Sequence, residues 1–171
     1  MMNVKGLKTQ SQCCLDENGD KREIYGNTIS NNKSDEYGGG GVSIRKSSEP
    51  TIHNNLIANN EADGNGGGIY IDASSPKIYN CTVADNEADG DGDEVYSTNT
   101  GANTSFINDI IYPGDVLIDG NPPSDQSGKF ENCDMATSTW WANFSHVNDN
   151  IDDDPQFTTY GGYGYLPSNI S

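Results

Sequence analysis

Positive charge is scarce in this chain. Nine of its 171 residues are Lys or Arg, against 26 Asp or Glu, and the formal charge is −17. Such a surface repels phosphate backbones, which excludes nucleic acid as a partner. Long apolar runs are also missing. None approaches the ~20 residues that a helix needs to cross a bilayer, so no membrane insertion is expected. Hydrophobic residues make up 32% of the chain, too few for a thick globular core. A thin, columnar core is the alternative. The opening stretch Met1-Met2-Asn3-Val4-Lys5-Gly6-Leu7-Lys8 lacks the apolar centre of a secretory signal, so an extracellular location requires a leader outside this sequence.

Cysteine and histidine are sparse too. The thiols are Cys13, Cys14, Cys81 and Cys133, and the imidazoles are His53 and His146. No Ser/His/Asp or Cys/His grouping emerges, which leaves nucleophilic catalysis without a constellation. No zinc spacing is present either.

What the chain does have is repetition. Ile52-His53-Asn54-Asn55-Leu56-Ile57-Ala58-Asn59-Asn60-Glu61-Ala62-Asp63-Gly64 returns 26 residues later as Ile78-Tyr79-Asn80-Cys81-Thr82-Val83-Ala84-Asp85-Asn86-Glu87-Ala88-Asp89-Gly90. Echoes begin at Ile24, Phe106 and Phe130. Self-similarity at a period of ~20–50 residues marks a stacked architecture. Within each phrase, period-2 alternation reads as short strands and Asn as corners. The glycine runs Gly38 to Gly41 and Gly66 to Gly68 precede a third strand, and Pro50 and Pro76 close it.

Three inward columns follow from this alignment. They are Ile24/Ile52/Ile78/Phe106/Phe130, Ile29/Ile57/Val83/Ile111/Met135 and Val42/Ile69/Val95/Val116. Asn54, Asn80, Asn108 and Asn132 are expected to form one hydrogen-bonded ladder, and Asn32, Asn60 and Asn86 a second. Cys81 and Cys133 hold matching places two rungs apart, about 9.6 Å at the strand spacing. That exceeds the ~7 Å reach of a disulfide, so both are expected to be free thiols.

Ile-x-Asn-Asn/Cys-x-x-Ile/Val…Asn-x-Ala-x-x-Gly-Gly-Gly-Ile-Tyr, as in residues 52–70, resembles the right-handed parallel β-helix repeat of pectate-lyase-like proteins. Asn150-Ile151-Asp152-Asp153-Asp154-Pro155-Gln156-Phe157 resembles the close of choice-of-anchor β-helix surface proteins. The resemblance implies an all-β, right-handed, single-stranded parallel β-helix of about five rungs with irregular ends. It covers roughly residues 24–168, and the expected organisation is rungs over 24–136, a cap or disordered leader over 1–23 and an irregular cap over 137–171. It also implies a bacterial or archaeal cell-surface setting.

Two places offer chemistry. At the acidic corner Glu61 stacks over Glu87 and Asp63 over Asp89, and Asp91 and Asp93 follow on a glycine-rich loop. Stacked carboxylates repel unless a cation bridges them, so Asp63, Asp89, Asp91 and Asp93 are the candidate Ca²⁺ ligands. The outward face of the third strand carries Tyr70, Asp72, Tyr96 and Asp119, the candidate carbohydrate-binding residues. In pectate-lyase-like proteins the corresponding face holds the sugar-binding groove, where Arg45 or Lys46 would serve as the proton-abstracting base of a calcium-dependent lyase. The expected function is a structural or glycan-binding surface module, calcium-stabilised at its acidic corner. A polysaccharide lyase is the alternative.

Overall fold

The computed structural model describes residues 13–15, 19–35, 38–98, 104–114, 116–119, 129–135, 147–148, 157–159 and 165–167. Its strands are two to four residues long, as the dense spacing of corner residues dictates. Strand β1 (Cys13–Leu15) comes first. One coil then contains β2 (Glu23–Tyr25), β3 (Thr28–Ser30), β4 (Lys33–Ser34) and β5 (Val42–Ile44). The next contains β6 (Thr51–His53), β7 (Leu56–Ala58), β8 (Glu61–Ala62) and β9 (Ile69–Asp72). A third contains β10 (Lys77–Tyr79), β11 (Thr82–Ala84), β12 (Glu87–Ala88) and β13 (Val95–Thr98). The fourth coil has β14 (Ser105–Ile107), β15 (Ile110–Tyr112) and β16 (Val116–Asp119). A fifth opens with β17 (Lys129–Glu131) and β18 (Asp134–Met135).

Equivalent strands pair in parallel from coil to coil. Sheet A runs β1-β5-β9-β13-β16, sheet C β3-β7-β11-β15-β18 and sheet D β4-β8-β12. Sheet B runs β2-β6-β10-β14-β17 and ends on β19 (Val147–Asn148), so parallel pairing reaches beyond residue 136. It also starts before residue 24, because Cys13–Leu15 pairs with Val42–Ile44. Strands β20 (Phe157–Thr159) and β21 (Tyr165–Pro167) form a separate antiparallel pair.

The three apolar columns stand as the alternation predicts. Ile24, Ile52, Ile78, Phe106 and Phe130 are Cα partners in succession. So are Ile29, Ile57, Val83, Ile111 and Met135, and likewise Val42, Ile69, Val95 and Val116. All are buried. Each fully buried aliphatic or aromatic side chain contributes roughly 1.5–3 kcal/mol, which lets a narrow column hold the coil closed. Phe106 and Phe130 stack with ring centroids 4.8 Å apart, the strand spacing itself.

Two details differ from the sequence reading. The repeat suggests three strands per coil, yet the acidic corner is itself a two-residue strand, so a short fourth sheet forms. The chain stays extended there long enough for Glu61 N to donate to Asn32 O, and Asp63 N to Ser34 O, both at 2.9 Å. The second difference concerns the first ladder. Asn54, Asn80, Asn108 and Asn132 have φ between 52 and 54° and their side chains are exposed. Among them Asn108 Nδ2 reaches Asn80 Oδ1 at 3.4 Å. The buried ladder lies one residue on, at Asn27, Asn55, Cys81, Asp109 and Cys133. The left-handed residue turns the chain through the corner, and the residue after it therefore points inward. The second ladder follows the same rule, with Asn31, Asn59 and Asp85 left-handed and Asn32, Asn60 and Asn86 buried, as the sequence predicts.

Candidate functional site

On the outer face of sheet A, parallel register brings Tyr70 beside Tyr96 and Asp72 beside Thr98. The two rings stack, with centroids 5.7 Å apart and planes 10° from parallel. Arg45 covers the other face of Tyr70, its guanidinium carbon 4.7 Å from the ring centroid, and its Nε donates to Ser43 Oγ at 3.0 Å. Both faces of Tyr70 are therefore occupied by protein. Tyr96 is 6% exposed, and Tyr70 offers solvent its edge. Burial pushes the Tyr70 phenol up, with the Asp72 charge adding and Arg45 opposing. Thr98 Oγ1 donates to Asp72 Oδ1 at 2.8 Å. The strip can meet a ligand through hydroxyl, carboxylate and guanidinium edges, not through an open aromatic face. Lys46 sits exposed at the following corner with φ 58°. Asp119 lies in β16 opposite Thr98, and its side chain is outside the described residues.

At the acidic corner Glu61 and Glu87 are Cα partners in sheet D, as the repeat implies. The sequence reading overlooks Lys33, which occupies the same column one coil earlier. Its ammonium donates to Glu61 Oε1 at 2.5 Å and to Asp63 Oδ1 at 2.9 Å, so one side of the corner already has a cation. Those two hydrogen bonds hold the Lys33 ammonium above its usual range. Asp93 Oδ1 accepts from Ala88 N at 3.0 Å, and Asp91 N donates to Asn65 Oδ1 at 2.8 Å. Asp89 and Asp91 are exposed. Among the described residues no group of three or more His, Cys, Asp or Glu side chains is arranged to hold a metal ion.

The strongest electrostatic features lie inside the ladders. In the second, Asn60 Oδ1 accepts from Asn32 N and Nδ2, and Asn86 Oδ1 accepts from Asn60 N and Nδ2. Among the described residues sheet D stops at β12, and the place in the fourth coil equivalent to Asn86, three residues after Ile111, is held by Gly114. Glu94, fully buried, reaches that place from the side. Asn86 Nδ2 donates to its Oε2 at 2.6 Å, and Gly114 N approaches Oε1 at 3.4 Å. Register equates Glu94 with Gly68 and Gly41. A Cβ on Gly68 would lie 2.8 Å from Asn86 Nδ2, so a side chain fits this position where the ladder has stopped. Desolvation raises the Glu94 carboxyl to about 8.

In the first ladder Asp109 replaces the amide. Its Oδ1 accepts from Cys81 N at 2.7 Å and its Oδ2 from Ile107 N at 3.0 Å, and desolvation lifts it to about 7. Cys81 and Cys133 occupy the flanking slots, both free and buried, with burial pushing each thiol up to about 12. The sequence reading passes over Glu94. The signal that would have found it is its place in register with two glycines.

A second aromatic column also escapes the sequence reading. On the outer face of sheet B, His53 lies between Tyr25 and Tyr79, at centroid distances of 5.2 and 4.8 Å. Its Nε2 is 3.0 Å from Glu23 Oε1 and its Nδ1 3.0 Å from Asn54 Nδ2. These contacts order the strand face, consistent with the stacking expected of aromatic neighbours on a sheet.

Comparison with known proteins bears on the fold. No curated protein matches the chain, and no solved structure matches it. A family profile does, described as right handed beta helix region, and it spans residues 7–121. Parallel coils, inward columns and corner ladders make up the described residues of that span. The chain belongs to the right-handed β-helix family.

Proposed function

We propose that this chain is a non-catalytic β-helix module of an extracellular or cell-surface protein, presenting the outer face of sheet A to a glycan. The observation that carries this reading is the half-exposed strip of Arg45, Tyr70, Asp72 and Thr98, whose polar edges repeat at the strand spacing. Neighbouring hydroxyl, carboxylate and guanidinium groups suit the hydroxyls of a sugar chain. The buried carboxylates are engaged in ladders and so are withheld from acid–base work on a bound polymer. Tyr96 supports Tyr70 from beneath, and the strand register continues from Thr98 to Asp119 in the next coil.

Calcium belongs to this reading as a stabilising counterion at the acidic corner, around Asp89, Asp91 and Asp93 on its open side, with Asp63 shared with the Lys33 ammonium. A cation bound by the folded state alone stabilises by RT ln(1 + [L]/Kd), about 2.7 kcal/mol at a hundredfold excess. Millimolar Ca²⁺ is expected to raise the melting temperature more than NaCl at matched ionic strength. Asp89→Asn with Asp91→Asn is expected to remove the difference. Equal responses to both salts would reduce the corner to screening.

The deciding experiment is a binding assay of the purified chain against a panel of neutral and acidic polysaccharides, with and without Ca²⁺. Retention on one polymer class, lost in Tyr70→Ala and Asp72→Ala, supports the reading. Release of unsaturated sugar products, with Arg45→Ala inactive, would establish the lyase alternative instead.

A further inference from the structure

The fourth coil takes a short path past the acidic corner. Residues 85–94 connect β11 to β13 in the third coil, with β12 among them, whereas residues 113–115 connect β15 to β16 in the fourth. Among the described residues β12 is therefore the last strand of sheet D. Its main-chain donors need partners other than a following strand.

A parallel strand sends its donors alternately to its two neighbours. Glu87 N donates to Asn60 O and Asp89 N to Ala62 O, both at 2.9 Å, so these two point back to the second coil. Asn86 N and Ala88 N point forward. One coil earlier the equivalent of Asn86 N is Asn60 N, which donates to Asn86 Oδ1 at 2.9 Å, and Ala62 is the Cα partner of Ala88. In the third coil side chains take the forward donors. Ala88 N donates to Asp93 Oδ1 at 3.0 Å, Asn86 N approaches Glu94 Oε1 at 3.4 Å, and Asn86 Nδ2 donates to Glu94 Oε2 at 2.6 Å.

The two carboxylates stand where earlier coils have glycine. Register sets Asp93 with Gly67 and Gly40, and Glu94 with Gly68 and Gly41. A Cβ on Gly67 would lie 2.4 Å from Glu87 O, and one on Gly40 2.4 Å from Glu61 O, both main-chain atoms of the following sheet D strand. Side chains are shut out where a further strand pairs and are present where pairing stops. An edge with free donors templates further pairing, and native proteins block such edges. We propose that Asp93 and Glu94 form an edge-closing device, which ends sheet D and prevents an extended strand of a second copy of this chain from adding to β12. Each carboxylate occupies a donor that the added strand needs.

The test compares the wild-type chain with two double variants, by sedimentation velocity over a range of concentrations and by amide hydrogen exchange. Asp93→Ala with Glu94→Ala removes both acceptors. Asp93→Asn with Glu94→Gln removes the same charges and keeps an acceptor oxygen at each place. Wild type and the amide-substituted chain are expected to stay monomeric, while the alanine-substituted chain associates as concentration rises. When dilute, that chain should exchange its Ala88 amide at least about tenfold faster than wild type, for the loss of one hydrogen bond, and association should restore the protection. If the double alanine variant does not fold, Asp93→Ala alone carries the test, because it gives up only the Ala88 bond and should show the same behaviour there. Equal association of the amide-substituted chain would assign the effect to charge and overturn the proposal. So would an alanine-substituted chain that remains monomeric, or a wild-type chain that already associates through residues 85–93.

Discussion

Glu94 finishes the ladder that Asn86 leaves open. The Asn86 amide donates to the Glu94 carboxyl at 2.6 Å, in the place where the next coil supplies an asparagine to Asn32 and to Asn60. A carboxyl can do this work in a desolvated slot if it keeps its proton, and burial raises it to about 8.

The first prediction follows from the sign of that shift. The unfolded chain ionises this group near the ordinary glutamate value of 4.5, while the folded chain holds the proton to about 8. Over that window the unfolded state binds fewer protons, so stability falls as pH rises. Below 4.5 the contribution is complete, and above about 8 it is lost. Glu94→Gln preserves the hydrogen-bonding shape and is expected to remove this part of the slope. Urea unfolding at several pH values, compared with wild type, measures it. Glu94→Ala is expected to cost about 1–3 kcal/mol at acidic pH, since Asn86 loses its buried partner.

Asp109 titrates in the same direction through a lower window, from the ordinary aspartate value of 3.8 to about 7. The equivalent residues Asn27 and Asn55 show that the corner accepts an amide. Asp109→Asn should therefore be more stable than wild type at pH 8 and nearly equal to it at pH 3.5. A variant that is less stable at pH 8 would mean that the two backbone donors, Cys81 N and Ile107 N, need the charge.

Packing predictions concern Ile69 and Gly68. Ile69 is fully buried between Val42 and Val95 in the third column, and Ile69→Ala should cost roughly 2–5 kcal/mol in urea unfolding. Gly68→Ala places a Cβ 2.5 Å from Glu94 O and 2.8 Å from Asn86 Nδ2. The backbone atom cannot yield freely, so a loss of roughly 1–3 kcal/mol is expected. Pairing Gly68→Ala with Glu94→Gln should leave most of that loss in place, because the clash is with the main chain.

Cys81 and Cys133 should resist thiol reagents at pH 8 in the native protein and react together on denaturation. Burial raises both thiols to about 12 and keeps the reactive thiolate scarce. Fast native labelling of either would show that its corner opens.

Much of the fold was legible in the sequence. An inward residue in one coil must be inward in the next, because parallel register carries its position forward, and so Ile52 and Ile78 announce Phe106 and Phe130. The first ladder was misplaced by one residue. Asn54 and Asn55 are adjacent and chemically identical, and only the left-handed conformation at Asn54 decides which of them faces the interior. Tyr70 and Tyr96 were correctly paired, but whether a stacked ring offers its face or its edge depends on what lies above and below it. Arg45 covers one face of Tyr70 and Tyr96 the other.

The sequence by itself determined the parallel stacking, the three apolar columns and the free state of Cys81 and Cys133, since each follows from spacing alone. Tertiary structure decided the chemistry of the polar groups. Glu94 reads as one more surface carboxylate among its acidic neighbours until the missing sheet D strand in the fourth coil opens a dry slot for it. Lys33 reads as an isolated cation until register sets it below Glu61 and Asp63. Burial and charge pairing depend on which groups lie one coil away, some 26 to 28 residues distant in the chain, and no local pattern records that.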